Sequence, residues 1–200
     1  MKIGIDISQI VHEGTGVGNY VRRMVMELLK HDTKNEYVLF GASLRRRQVF
    51  YQFFQSLHKI PGIEKINSGN LGFKRVRLVV VPIPPVLLDL LWNKLHVAPI
   101  EWFTGPLDVF WSSDWTQPPL RYANGVTTIH DLSVYRSSES FVDTNIVEVQ
   151  KRRLTWAKKE CDYFLCDSEA TKQDILHILH IPSSKIYVVY PGFSLPGVIL

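Results

Sequence analysis

Hydrophobic residues along the chain follow two alternating patterns, short continuous runs and longer stretches with helical spacing. The first run covers residues 3–7 and predicts a buried strand. From Val17 onward the apolar residues recur every three or four positions, which is typical of an amphipathic helix. We expect the inward face of that helix to consist of Val21, Met24, Val25, Leu28 and Leu29.

The same alternation continues along the chain. Further buried strands are predicted at residues 36–40, 63–66, 76–81, 108–111, 126–129, 163–166 and 186–189. Helices are predicted at residues 43–57 with Ser43 as the cap, 85–96, 143–159, and 169–179 with Ser168 as the cap. The third of these should bury Ile146, Val149, Leu154 and Ala157. Strands that alternate with helices predict an α/β fold, a doubly wound and mainly parallel Rossmann-like sheet with right-handed crossovers.

Composition fits one domain of this class. The 200 residues are 46% hydrophobic, which is enough to bury one sizeable core. The apolar run at residues 81–92 is too short for a membrane span and contains Asp89. After Met1 the sequence shows neither a long apolar segment nor a cleavage site, so no signal peptide is predicted. The net charge of +4 is spread along the chain, which predicts no nucleic-acid partner.

The cysteines and histidines predict no metal site. Cys161 and Cys166 lie in one apolar segment without CxxC spacing, so we expect neither a disulfide framework nor a metal knuckle. His177 and His180 lie three positions apart near a predicted helix end, but no third ligand accompanies them. A reducing cytoplasm is the simplest location for such a chain.

A basic and aromatic segment leaves two interpretations open. It contains Arg45, Arg46 and Arg47, followed by Phe50, Tyr51, Phe53 and Phe54. Such a helix could rest on the anionic inner face of a membrane as a peripheral contact. The favoured interpretation is a crossover helix whose aromatic side chains pack on the sheet.

A glycine-rich loop joins the first strand to the first helix. Gly14, Gly16 and Gly18 stand where the free N–H groups and the dipole of a helix N-terminus can bind an anion. The dinucleotide-binding pattern would need glycine in place of Asn19, and a P-loop would need lysine after its last glycine, so neither motif matches. Residues 8–13 precede this loop and suggest a lip that protrudes over a cleft. A turn that merely starts the helix is the alternative.

Two further pairs follow predicted strands and therefore belong at the ligand-binding edge of a parallel sheet. His130 and Asp131 come after the strand at 126–129, where a neutral histidine can contact a substrate hydroxyl. Because consecutive residues point apart in an extended chain, a direct dyad is less favoured than His130 alone. Asp114 and Trp115 follow the strand at 108–111, and a carboxylate with an aromatic ring suits sugar contacts. A simple turn remains the alternative for the His-Asp pair.

Four segments together carry a family resemblance. These are "GIDISQIVHEGTGVGNYVRRMVMELL", "VTTIHDLSVY", "RRLTWAKKECDYFLCDSEATKQDIL" and "KIYVVYPGF". Their order and spacing resemble the N-terminal domain of retaining GT-B glycosyltransferases, the family 4-like enzymes that include mannosyl- and glucosyltransferases. The specific elements are the GTGVG loop, the His-Asp pair and the helix start at Ser168–Thr171.

The resemblance implies roles for particular residues. Gly16, Val17 and Gly18 would contact the diphosphate of a nucleotide-sugar donor, and His130 would contact the transferred sugar as the catalytic residue. Candidate cleft or acceptor contacts are Asp131, Asp114, Trp115, Asn19 and Tyr20. No cofactor or metal is implied beyond the donor substrate.

The resemblance also implies a division of the chain. Residues 1–190 would form the acceptor-side domain and residues 191–200 would begin an interdomain linker, with the C-terminal donor domain outside the sequence. Transfer to an unknown glycan or lipid acceptor would then need that domain in the same polypeptide or as a separate subunit. The alternatives are a binding or subunit-interaction module without catalysis of its own, and half of a nucleotide-sugar epimerase of the same architecture.

Overall fold

The computed structural model describes residues 1–60, 63, 72–73, 75–136 and 144–192. Its strands are β1 Lys2–Asp6, β2 Glu36–Ala42, β3 Gly72–Phe73, β4 Val76–Val81, β5 Val109–Ser112, β6 Asn124–Ile129, β7 Cys161–Cys166 and β8 Ile186–Val188. Its α-helices are α1 Gly16–His31, α2 Arg47–Ser56, α3 Pro85–Leu88, α4 Glu101–Thr104, α5 Ser133–Arg136, α6 Thr144–Glu160 and α7 Glu169–Leu179. The predicted alternation of strands and helices is therefore present in the described residues.

The strands form one sheet in the order β3-β4-β2-β1-β5-β6-β7-β8. Within the described residues every neighbouring pair is parallel except β3 with β4 at the edge. From β1 the chain first builds one side of the sheet and then returns to build the other. The order consequently reverses between β1 and β5, the type of position where doubly wound folds bind ligands. This confirms the Rossmann-like fold class.

Helices cover both faces of the sheet. In β2, Tyr37 and Leu39 belong to the core cluster beneath α1 and α2, whereas Val38 and Phe40 belong to the cluster on the opposite face. A third cluster lies under α6 and α7 and includes Phe164. A strand buried on both faces explains why the hydrophobic runs were continuous rather than alternating.

Several boundaries differ from the sequence prediction. The sheet extends beyond β2, because the Ser43 N–H donates to the Val81 carbonyl, so Ser43 is not the cap of α2. Instead its Oγ accepts the Arg46 N–H at 3.0 Å and closes the turn before α2. The helix predicted at 85–96 is two segments, α3 and a π-helix at Asp89–Lys94. Of the strand predicted at 63–66, Ile63 is not in a strand and residues 64–66 lie outside the described residues.

Two inward positions were predicted wrongly. In α6, Ile146 is exposed and its neighbour Val147 is buried in its place, whereas Leu154 and Ala157 are buried as predicted. Leu28 in α1 is also exposed, while Val21, Val25 and Leu29 form the buried stripe. The predicted Asp143 start of α6 lies outside the described residues.

The basic and aromatic segment is a crossover helix, as the favoured interpretation had it. Phe50, Phe53 and Phe54 of α2 are buried in the core. Their burial directs these three aromatic side chains to the core. Among the described residues, no helix is long and apolar enough to cross a membrane.

Candidate functional site

The candidate site lies at the carboxyl edge of the sheet, beside the reversal between β1 and β5. Parallel strands all end at this edge, so residues distant in sequence meet there. Asp6 ends β1, Asp114 follows β5, His130 follows β6 and Asp167 follows β7.

His130 is paired with a carboxylate that the sequence did not reveal. Its Nδ1 lies 2.6 Å from Oδ2 of Asp167. The carbonyl of His130 accepts a hydrogen bond from the Thr171 hydroxyl at 3.1 Å. The imidazole is therefore held by residues at the start of α7. A usable signal existed, because Asp167 directly follows the strand next to β6.

The neighbouring Asp131 holds the backbone rather than the imidazole. Its carboxylate accepts the Ser133 N–H at 2.9 Å and also the Ser133 hydroxyl. Asp131 thus shapes the turn into α5. The structure agrees with the expectation that consecutive residues in an extended segment point apart.

Two further carboxyl groups lie at the same edge of the sheet, the buried Asp6 and the half-buried Asp114. Asp6 is 2% exposed, and burial raises its pKa from 3.8 to about 6. Burial also raises the pKa of Asp114, an effect that Arg153 and His130 partly offset. In the described part of the chain, Asp6 Oδ2 and Asp114 Oδ1 are buried without a hydrogen-bond partner. Buried acceptors of this kind cost free energy unless a donor arrives, so they are candidate ligand contacts.

A buried arginine organises the loops at this edge. Arg153 of α6 is 1% exposed and donates to the Ser113 carbonyl at 3.0 Å, to the Thr128 carbonyl and to the Thr127 hydroxyl. Burial lowers the pKa of Arg153, and the negative charge of Asp114 opposes that shift. Sequence reasoning missed this residue, since the charged positions of an amphipathic helix normally face solvent.

A cavity of about 160 Å³ opens between the end of β6, α5 and α6. Asp114, His130, Asp131, Gln150 and Arg153 contribute its polar lining. The volume resembles that of an engineered protein cavity known to hold benzene, so a ligand group of about that size would fit. Polar groups that converge on a concave space are typical of ligand sites.

The glycine loop begins α1 directly. Thr15 caps the helix, and its Oγ1 accepts the Gly18 N–H at 3.2 Å. Among the described residues, the N–H groups of Gly16 and Val17 have no acceptor. Nothing lies within 4 Å of the position that a Cβ would take at Gly16, whereas at Gly18 it would lie 2.8 Å from the His12 carbonyl oxygen. Gly16 therefore leaves open space, and Gly18 permits close packing.

The predicted lip is shorter than expected. Ser8–Val11 form a 3₁₀ turn whose Gln9, Ile10 and Val11 are buried. The exposed part of the loop is confined to residues 12–16. The side chain of Val17 packs against the core. Only its backbone is therefore available to contact a ligand.

Tyr20 connects the glycine loop with His130. The two rings meet edge to face, with centroids 4.9 Å apart. Tyr20 also lines a groove of about 530 Å³ between α1 and the segment after β8. Gly16, Asn19, Arg23 and Gly192 line the same groove. Burial raises the pKa of Tyr20 to about 12, so its hydroxyl stays neutral near pH 7.

Trp115 lies at the same edge with about a third of its surface exposed. Its carbonyl accepts a hydrogen bond from the Asn93 amide at 3.0 Å. It does not line the His130 cavity or the Tyr20 groove. In the described residues, no group of three His, Cys, Asp or Glu side chains could hold a metal ion.

Comparison with known proteins agrees with the fold class. A search of curated proteins found no match. A family model described as Glycosyltransferase Family 4 matches residues 14–195, which covers the glycine loop, His130, Asp167 and β8. That match spans most of the 200 residues. The chain belongs to glycosyltransferase family 4, as a domain of the N-terminal type.

Proposed function

We propose that this domain forms the acceptor side of a retaining glycosyltransferase that uses a nucleoside-diphosphate sugar. The observation that carries the proposal is His130 at the carboxyl edge, joined through Tyr20 to the open N-terminus of α1. A sugar contact and an anion contact then lie side by side. Membership of the family supplies the reaction class.

The start of α1 is the proposed contact for the donor diphosphate. The N–H groups of Gly16 and Val17 are the free donors, since Gly18 donates to Thr15. Arg23 lines the same groove one to two turns further along the helix. Helix N-terminal amides and the helix dipole stabilise negative charge, which grows on the departing diphosphate during transfer. No metal ion is required for that stabilisation.

His130 is the proposed contact for the transferred sugar. It lines the 160 Å³ cavity together with Asp114, whose Oδ1 has no hydrogen-bond partner in the described part of the chain. Both groups can accept hydrogen bonds from sugar hydroxyls. Asp114 would therefore hold the acceptor or the sugar in place, while Asp131, which lines the same cavity, would shape its entrance.

The pocket for the nucleotide of the donor is proposed to come from a second domain. The groove between α1 and the segment after β8 offers an exposed surface for that domain, with Tyr190 and Pro191 along one wall. The second domain can belong to the same polypeptide or to a separate subunit.

The test measures sugar transfer by the complete enzyme, the domain together with its donor-binding partner. Uridine and guanosine diphosphate sugars serve as donors, and release of the nucleoside diphosphate is followed with time. His130→Ala should slow release by roughly 10- to 100-fold, because a lost hydrogen bond to the substrate costs about 1.5–3 kcal/mol. The matched control is His177→Ala, an exposed histidine of α7.

Unchanged turnover in His130→Ala would remove its proposed role. No release with any donor, but stable association with another protein chain, would favour the interaction-module alternative. The anomeric configuration of the product, read by proton NMR, separates retention from inversion. An epimerase would instead return an altered nucleotide sugar without an acceptor product.

A further inference from the structure

We propose that Asp167 is a positioning residue that holds His130 in the Nδ1–H tautomer, so that Nε2 presents its lone pair to a hydroxyl group. The proposal rests on the proposed function for the identity of that hydroxyl, which would belong to the sugar or the acceptor. The tautomer itself follows from contacts within the chain and can be measured without any substrate.

The hydrogen bond determines which nitrogen carries the proton. Asp167 Oδ2 lies 2.6 Å from His130 Nδ1. An ionised carboxylate can only accept, so Nδ1 must donate. In neutral imidazole the other nitrogen is then an acceptor. Within the described residues, Nε2 of His130 has no hydrogen-bond partner.

Asp167 is itself placed by the start of α7. It precedes Ser168, whose Oγ accepts the Thr171 N–H at 3.1 Å as the helix cap. Thr171 in turn donates to the carbonyl of His130. The first turn of α7 thus fixes both the carboxylate and the backbone that carries the imidazole. The positive end of the helix dipole also stabilises the Asp167 charge.

The imidazole ring is restrained on a second side. Tyr20 meets it edge to face at an interplanar angle of 88°. Only 18% of the His130 side chain and 24% of the Asp167 side chain are exposed. A ring held by a carboxylate and an aromatic neighbour keeps Nε2 in one direction. Without the carboxylate, the ring would be free to rotate and its proton would exchange between Nδ1 and Nε2.

The tautomer limits the ligand group that Nε2 can bind. A lone pair attracts an O–H or N–H donor and repels the oxygen atoms of a phosphate. Nε2 should therefore bind a hydroxyl of a sugar, and the diphosphate should bind elsewhere, at the N–H groups of Gly16 and Val17. In this assignment the sugar hydroxyl binds a hydrogen-bond acceptor, Nε2, and the diphosphate binds hydrogen-bond donors, the two N–H groups.

The first test records the ¹⁵N NMR shifts of the histidine rings in the isolated chain at pH 8. The signals of His130 are assigned by their loss in His130→Gln, since the chain has seven histidines. The wild type should show a protonated Nδ1 and a proton-free Nε2. Asp167→Ala should show shifts averaged between the two tautomers. Asp167→Asn should move the proton from Nδ1 towards Nε2, because its NH₂ group can donate to Nδ1 whereas the carboxylate can only accept.

A wild-type spectrum with the proton on Nε2, or one already averaged, overturns the proposal. So does an Asp167→Ala spectrum identical to that of the wild type. Neither result depends on any sugar transfer, so failure of this proposal is distinguishable from failure of the proposed function.

The second test uses the complete enzyme. Asp167→Ala should lower kcat about tenfold with a smaller change in KM, because the hydrogen bond to the substrate forms with a poorly oriented nitrogen. Asp167→Asn should lower kcat as well, because its NH₂ group favours the other tautomer, whereas a purely structural role would tolerate a side chain of nearly the same shape. The control is Glu148→Ala, which removes a carboxylate whose side chain is 63% exposed. An unchanged kcat in Asp167→Ala overturns the positioning role.

Discussion

Two histidine–carboxylate pairs lie at opposite edges of the same sheet. They differ in whether all their ring nitrogens and carboxylate oxygens have hydrogen-bond partners among the described residues. At the carboxyl edge, His130 uses one ring nitrogen for Asp167, and Asp167 Oδ1 is buried without a partner among the described residues. At the amino edge, both nitrogens of His96 are used, by the Trp92 carbonyl at 2.8 Å and by Glu160 at 3.0 Å.

The pair at the amino edge is saturated, which means that both ring nitrogens and both carboxylate oxygens have hydrogen-bond partners. The second oxygen of Glu160 accepts the Leu120 N–H at 2.8 Å. The ring of His96 stacks on Trp156 with centroids 3.5 Å apart. Both nitrogens of His96 lie within hydrogen-bonding distance of an oxygen atom. Such a pair joins α6 to the loop before β6 and leaves nothing for a ligand. Unused hydrogen-bonding capacity, rather than the presence of the pair, therefore marks the candidate site.

The largest expected effect comes from breaking the saturated pair. Glu160→Ala would leave the Leu120 N–H and one nitrogen of His96 without a partner. We expect it to lower the free energy of unfolding by roughly 2–4 kcal/mol. Asp167→Ala should cost only about 1 kcal/mol, because that carboxylate accepts a single bond. Urea unfolding followed by circular dichroism measures both.

Equal losses of stability in the two variants would contradict the comparison. Glu148→Ala serves as the control, since an exposed carboxylate should change stability by less than about 0.5 kcal/mol.

The next effect concerns the unsatisfied carboxyl group of Asp6. Its pKa is raised from 3.8 to about 6, so the folded state favours the protonated form. This contribution to stability is fully present below pH 3.8 and is lost as the pH rises through about 6. Its size is roughly 2–3 kcal/mol, at about 1.4 kcal/mol for each pKa unit.

Asp6→Asn should abolish that loss, since the amide does not ionise while its oxygen still accepts the Ser8 N–H. The measurement is the difference in unfolding free energy between variant and wild type at pH 4 and pH 7. Parallel pH profiles would show that Asp6 is not strained by burial. The result tests the difference between the two edges of the sheet. Both oxygens of Glu160 have hydrogen-bond partners, whereas Oδ2 of Asp6 has none among the described residues.

The smaller effects separate two glycines at the carboxyl edge. Gly18→Ala places a Cβ 2.8 Å from one backbone oxygen and 3.0 Å from another, at His12 and Gln9. Overpacking against backbone should cost about 1–2 kcal/mol. Gly16→Ala meets nothing within 4 Å and should change stability by about 0.5 kcal/mol or less. Thermal unfolding of the two variants checks the difference.

In the complete enzyme, Gly16→Ala should nevertheless slow transfer, because the new methyl group occupies the open space proposed for the diphosphate. Full activity of this stable variant would place the diphosphate elsewhere.

Much of the fold could be predicted because its signals are local. The apolar runs correctly identified β1, β2 and the four later strands, and Ser168 was correctly predicted to cap α7. The prediction failed where neighbouring positions compete, as at Ile146 and Val147, since both fit a helical stripe and only packing selects one. The π-helix at Asp89–Lys94 has the same apolar pattern as an α-helix and could not be distinguished from it.

The candidate site was predictable in part. The position of His130 after a strand placed it at the ligand edge, and the structure places it there beside Tyr20 and Asp114. Asp167 was missed because it lies 37 residues away in the sequence. Arg153 was missed because a buried charge interrupts the usual pattern of a helix.

The sequence by itself determined the alternation of strands and helices, the glycine loop and the family, because each is written in contiguous residues. Only the tertiary structure decided that Asp167 rather than Asp131 holds His130. It also decided that both nitrogens of His96 are bonded, while one nitrogen of His130 has no partner among the described residues. The physical reason is that strand order brings together side chains from distant segments. Hydrogen bonds among them depend on that arrangement and on burial, and neither is encoded in local spacing.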